Sequence, residues 1–416
     1  MNPPATSTER LKVSREKSRW RPARWIVAAL VVAAGAIVFW PRPSAEKLVE
    51  DARRAMQGGQ WSRAAELLEA VGWIRAHTPT ERLLLADAED RLDRSERAVE
   101  RLAAIPDDDP SAAAARLLAG QIERRRNRMR AAEAALLEAA RLDPQLAQAR
   151  RELVFMYGMQ GRRIDLSAQF KRLVTLVPLT TRELMIWTVS NEDIWINSSI
   201  EGDLERYLDA DPEDRLSRVA LAEVLLRSGD AGRAESVLAP LPDADVDARA
   251  LRARIALDRA QLDRASTLLE GGPADHPVIA RLRGQLALRR NDLPGAVEAL
   301  RTAVRLDPNN QEAVQALALA LKRSGLDAEA EPVQAHAERL RALTRLLEEA
   351  RSTEGRTEQT LPKRLARACE AIGALDQARA WYGLALQVDV LDPEVQRAVH
   401  RLAKQAEEGG EPGQRP

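Results

Sequence analysis

Cysteine, histidine, lysine and aromatic side chains are all scarce in this chain, and each shortage removes a class of function. Cys369 is the one cysteine, which excludes an internal disulfide framework and a cysteine-based zinc cluster. His77, His276, His336 and His400 stand far apart and leave little material for a metal site. Aromatic residues make up only 3% of the chain, and lysine supplies seven of the 63 basic residues. Acidic residues also number 63, so no whole-chain field draws the protein to nucleic acid. No HExxH, phosphate-loop, GxGxxG or GxSxG pattern occurs, and no oriented base accompanies Cys369. The expectation is a protein that is not an enzyme and uses no cofactor, metal or small-molecule substrate.

What is present begins with an unusual amino terminus. Residues 1–24 carry seven basic side chains against Glu9 and Glu16. Trp25–Trp40 then runs sixteen residues without a charge, closed by Pro41 and Arg42. Such a run spans roughly 24 Å as a helix, slightly short of the ~30 Å hydrocarbon core. Arg24 and Arg42 can snorkel to cover the difference, and Trp25 and Trp40 stand where an interfacial aromatic belt would place them. A buried core helix would have a polar face, which this run lacks. A cleavable signal needs small residues after the apolar stretch, yet Ala34-Gly35-Ala36 lies inside it and bulky Ile37–Trp40 follows. The reading is an uncleaved transmembrane helix over 25–41, with 1–24 a cytoplasmic basic tail by the positive-inside rule. The remainder is then extracytoplasmic, and for a bacterial inner membrane it is periplasmic.

Past the apolar run the chain is periodic. Pro110, Pro144, Pro178 and Pro212 are each 34 residues apart. Counting from Ala45, the eighth places hold Ala52, Ala86, Gly120, Val154, Thr188 and Ala222, and the twentieth hold Ala64, Ala98, Ala132, Leu166, Ile200 and Ala234. Gly59, Gly161 and Gly229 fall at the fifteenth. After a three-residue shortening near 243–245 the pattern resumes, with Ala253 pairing with Ala265, Gly284 with Ala296, Ala318 with Ala330 and Ala366 with Ala378. Two amphipathic helices approach closely only where side chains are small, a glycine or asparagine between them ends the first in a left-handed cap, and a proline stops the second.

This lock-step resembles the tetratricopeptide repeat, best over Ala147–Thr180 with Leu153, Tyr157, Phe170 and Pro178 in the family's places. The resemblance implies an all-α, right-handed α-solenoid of about ten helix–turn–helix units. Units one to six would occupy 45–248, units seven to nine 249–344, a linker or helix extension 345–358, unit ten 359–392 and a capping helix 393–407. Residues 408–416 read as a disordered tail. The family's tryptophan at the fourth place is missing, with Leu48, Arg82 and Arg150 there instead. Unit 181–214 lacks a small residue at both usual places, which implies wider packing or an altered turn around Asn191–Ser199.

In such solenoids the first helix of each pair lines the concave, partner-binding face. Its groove-facing places give an apolar set, Phe155, Met159, Met185 and Val189, with Arg124 and Arg125 on the rim. They also give a basic set, Arg281, Gln285, Arg289, Lys322 and Arg323. Packing between repeats competes with a partner groove for the first set, and a solvated face competes with a site for the second. The run RRRNRMR at 124–130 closes a first helix, where cations complement the helix dipole, rather than marking nucleic-acid binding. The resulting expectation is a membrane-anchored scaffold that binds proteins of an envelope complex. Its rivals are a structural homo-oligomer and a non-catalytic, substrate-positioning subunit of an envelope enzyme.

Overall fold

The computed structural model describes residues 44–188, 198–351 and 358–409. The basic tail, the apolar run, Val189 and residues 191–197 of the expected altered turn fall outside these residues. Among the described residues there are 21 helices and no strand. None of these helices is long and apolar enough to cross a membrane.

The contacts divide the chain into two units, before and after His77. The first unit holds one helix pair, α1 (Ala45–Gln57) and α2 (Trp61–Gly72). In the second unit the pairs are α3 (Pro79–Asp90) with α4 (Ser95–Ala103), α5 (Ala112–Arg125) with α6 (Met129–Leu142), and α7 (Ala147–Met159) with α8 (Arg163–Leu176). Next come α9 (Thr181–Thr188) and α10 (Ser198–Ala210), followed by α11 (Arg215–Arg227) with α12 (Ala231–Leu238) and α13 (Val246–Asp258) with α14 (Leu262–Glu270). The last elements are α15 (Pro277–Arg289) with α16 (Leu293–Leu306), α17 (Gln311–Arg323) with α18 (Asp327–Arg351), α19 (Leu361–Ala371) with α20 (Leu375–Val388), and the terminal α21 (Pro393–Gly409).

Local chemistry sets these boundaries. Thr78 and Glu81 form a reciprocal capping box ahead of Pro79, and Asp214, Asp230, Asp245, Asp292 and Asn310 cap α11, α12, α13, α16 and α17 through their side-chain oxygens. Every described pair from α1–α2 onward turns through one left-handed residue. Gly59, Gly161, Gly229, Gly325 and Gly373 share this role with Asp93, Asn127, Ala260 and Asn291, all at φ between 55° and 85°. Ala52, Ala86, Ala132, Ala222, Ala234, Ala253, Ala265 and Ala296 are fully buried where paired helices touch. Gly120 and Gly284 allow the closest approach: a Cβ there would stand 2.6 Å from Leu136 Cγ and 2.3 Å from Leu300 Cγ.

Three second helices are short: α4 (9 residues), α12 (8) and α14 (9). Each leaves terminal carbonyls that a later arginine binds. Arg116 donates to the Leu102 and Ile105 carbonyls at 2.8 and 3.0 Å. Arg252 donates to Leu238 and Leu241 at 2.8 Å each, and Arg283 to Leu269 and Gly272 at 2.7 Å each. The matching sequence is L-x3-P-x9-R, with Pro106, Pro242 and Pro273 at its centre. The shortened repeats thus share a device that satisfies helix-end acceptors otherwise left orphaned.

The fifth unit breaks the order. First helices of neighbouring repeats touch along α3–α5–α7 and again along α11–α13–α15–α17, but α9 packs on α8 and on α20 of the last repeat. There Trp381 Nε1 donates to Thr188 Oγ1 at 2.8 Å, across 193 positions, while the Thr188 hydroxyl donates to the Leu184 carbonyl at 2.7 Å. Cys369 lies beside the same threonine, and Lys171 on α8 pairs with Asp376 on α20 at 3.1 Å. Trp381 and Cys369 are fully buried. Thr188 occupies an eighth place, where a small apolar residue would fit a neighbour; its hydroxyl instead serves this closure. The α18 helix runs 25 residues, Asp327–Arg351, carries Pro332 inside it and extends into the 345–358 stretch read as a linker or helix extension.

Candidate protein-binding site

Phe155 lies on α7 with 47% of its surface exposed. The Arg124 guanidinium, from the neighbouring first helix α5, sits 5.3 Å over its ring. Glu152 fixes that guanidinium at 2.8 Å and also accepts from Gln121 Nε2 at 3.0 Å, so one carboxylate holds both side chains against α7. Arg124 also stands near the Tyr207 phenol of α10, whose pKa is raised chiefly by burial. Arg125 pairs with Asp90 on α3. These rim arginines are therefore oriented by acids of adjacent repeats.

On the other side of Phe155, Arg151 reaches Glu183 on α9 at 2.7 Å and ties α7 to the atypical unit. Burial would raise the Glu183 pKa, but the Thr180 N–H at 2.8 Å and Arg151 outweigh it and hold the carboxyl below its ordinary value. Met159 and Met185 are half-buried and pack against the main apolar core. Behind them Trp187 is buried, stacks on Phe170 with centroids 5.4 Å apart, and donates to Ser167 Oγ at 3.1 Å. Phe155 is thus the exposed member of the apolar set, the two methionines are half-buried against the core, and Val189 lies outside the described residues. An exposed ring under a stacked arginine, with half-buried methionines in the same set, has the composition of an interface centre.

The basic set is organised differently from a solvated face. Arg281 is buried and ion-paired with Glu312 of the next repeat. Arg289 binds the Leu257 carbonyl at the end of α13 and stands 3.9 Å from Asp258. Arg323 is exposed but reaches Asn291 Oδ1 at 2.7 Å and the Leu288 carbonyl at 3.5 Å, at the end of α15. Arg289 and Arg323 cap the first helix of the preceding repeat, where a cation complements the carbonyl end of the dipole. Gln285 is half-buried and Lys322 exposed. Among the described residues no group of three His, Cys, Asp or Glu side chains could hold a metal ion.

Paired antiparallel helices, one left-handed turn per pair and buried alanines in register define a helical-repeat protein. Two models of the tetratricopeptide repeat family match within the chain, one over residues 202–255 and another over 83–147, 250–311 and 281–342. No curated protein matches the chain. Similar solved structures include the APC/C hetero-tetramer Cut9–Hcn1, at 12% identity over 92% of this chain and 94% of that one, TM-score 0.37. A tetratricopeptide repeat protein from Parabacteroides merdae is 16% identical over 67% of this chain and 98% of its own, TM-score 0.30. A human IFIT1 dimer is 14% identical over 88% and 83%, TM-score 0.32.

Proposed function

We propose that the chain is a membrane-anchored adaptor that holds a protein partner on the face built by α5, α7 and α9. Tetratricopeptide repeats imply protein partners in general. The observation that carries the location is Phe155, a large ring 47% exposed on a first helix with the Arg124 guanidinium stacked over it. The membrane part of the reading rests on the uncharged Trp25–Trp40 run and its basic flank, which support an extracytoplasmic repeat array serving an envelope complex. Tethering would raise the effective concentration of the array toward other membrane-bound components.

Affinity capture from membranes, with partners identified by mass spectrometry, tests the site. Phe155→Ala should melt as the parent does, because the ring is half in solvent, yet capture its partner several-fold less well. Undiminished capture overturns the site. A reporter fused after Pro416 should be active only outside the cytoplasm, and a soluble, anchor-free mature form overturns the membrane part.

A further inference from the structure

The first helix pair carries an apolar feature that the groove does not use. Trp73 is 91% exposed and Ile74 52% exposed, side by side just past the end of α2. The turn at Gly58–Gln60 reverses the chain, so α1 and α2 run antiparallel along a buried seam of Leu48, Val49, Ala52, Leu68 and Val71. With 13 and 12 residues the two helices rise and return by roughly 20 and 18 Å. The chain therefore comes back at Trp73 to the level of Ser44, where α1 starts. Only Pro41–Ser44 separate that start from the last residue of the Trp25–Trp40 run, a reach of at most about 14 Å. His77 locks the turn in place, its Nε2 lying 2.7 Å from the Leu68 carbonyl.

We propose that the Trp73–Ile74 turn is a second membrane contact, entering the headgroup boundary of the bilayer that holds the anchor. This rests on the anchored reading of Trp25–Trp40. An indole suits that boundary because its body is apolar and its N–H remains wet. Lys47 and Arg75 lie beside Glu46 and Glu69 at this end, so the charges nearest the turn are of both signs. Two attachment points, the anchor and the turn, fix how the first helix pair stands on the membrane; one alone would let it swivel.

The test uses the full chain in vesicles of phosphatidylcholine and phosphatidylglycerol, with Ile74→Cys carrying an environment-sensitive fluorophore. Cys369 is fully buried and stays unlabelled. Brominated lipid should quench the label at position 74 strongly and aqueous iodide weakly. Ile164→Cys, at an 84% exposed site, should show the reverse. Adding Trp73→Ser should cut lipid quenching several-fold. Failure of the protein to float with vesicles overturns the anchored reading, and this inference with it. Flotation with a label open to iodide and untouched by bromolipid overturns the inference alone. A label shielded from both quenchers means that protein, such as a second copy, covers the turn, which also overturns it.

Discussion

A methyl group added to glycine should have opposite effects at two helical positions. At Gly284 the new Cβ would meet Leu300 at 2.3 Å from Cγ, 2.7 Å from Cδ2 and 3.2 Å from Cδ1. Leu300 has no exposed surface, so it cannot swing into solvent. At Gly383, inside α20, nothing lies within 4 Å. Alanine in a helix interior is favoured over glycine by about 0.8–1.0 kcal/mol, and Gly383→Ala should gain that amount. Overpacking costs about 1–3 kcal/mol, so Gly284→Ala should lose up to about 2 kcal/mol after the same propensity gain. Gly120→Ala should follow Gly284→Ala, because its Cβ would meet Leu136 at 2.6 and 2.8 Å and the Ala132 carbonyl at 3.2 Å. Leu300→Ala makes room, so combined with Gly284→Ala it should destabilise less than the two changes summed. Urea unfolding, with hydrogen exchange resolved to α15 and α16, reads the effect locally, as repeat arrays require. If Gly284→Ala stabilises as much as Gly383→Ala, the close approach of α15 and α16 is wrong.

Arg252→Met should cost roughly 2–3 kcal/mol, because it strips charged hydrogen bonds from the Leu238 and Leu241 carbonyls; a urea midpoint unchanged from the parent would refute that role. Burial pushes the Cys369 thiol up to about 12, against the opposing effect of Thr188, so alkylation at neutral pH should report opening of the α9–α20 contact. Trp381→Phe, which removes a hydrogen bond and some volume worth together about 2 kcal/mol, should speed that alkylation by more than an order of magnitude. His276, 3.6 Å away, and then Arg215 hold the Asp247 carboxyl at about 2, below its ordinary value. Its folded-state pKa is depressed, so its contribution is complete above about pH 4 and is lost as pH falls toward 2. Asp247→Asn should flatten the acid limb of the stability profile in that window; an unchanged limb would count against the pairing.

The repeat frame could be read from residues because helix-pair packing is local. Gly59, Gly161 and Gly229 marked turns by their identity, and the structure places Asp93, Asn127, Ala260 and Asn291 in the same left-handed role. Ala260 has no propensity for that conformation, so only its register pointed there. The three arginines that bind helix-end carbonyls recur in L-x3-P-x9-R, a signal present in the sequence but subordinate to the 34-residue count. Arg281 carried no local mark of burial, because Glu312 lies on the next repeat. Phe155 and Met185 shared a groove-facing pattern, but periodicity could not say that Phe155 is the exposed one. The Trp381–Thr188 contact was beyond reach for a different reason: it depends on small rotations accumulated over five repeats, and no residue spacing encodes their sum.

That contact has a consequence for how such a chain can change over generations. An open array tolerates a duplicated or deleted repeat, since each unit touches only its neighbours. Here a unit gained or lost between α10 and α19 would carry Trp381 away from Thr188 and Asp376 away from Lys171. The number of repeats between the fifth unit and the last is therefore a closed count, open to substitution but shut to expansion.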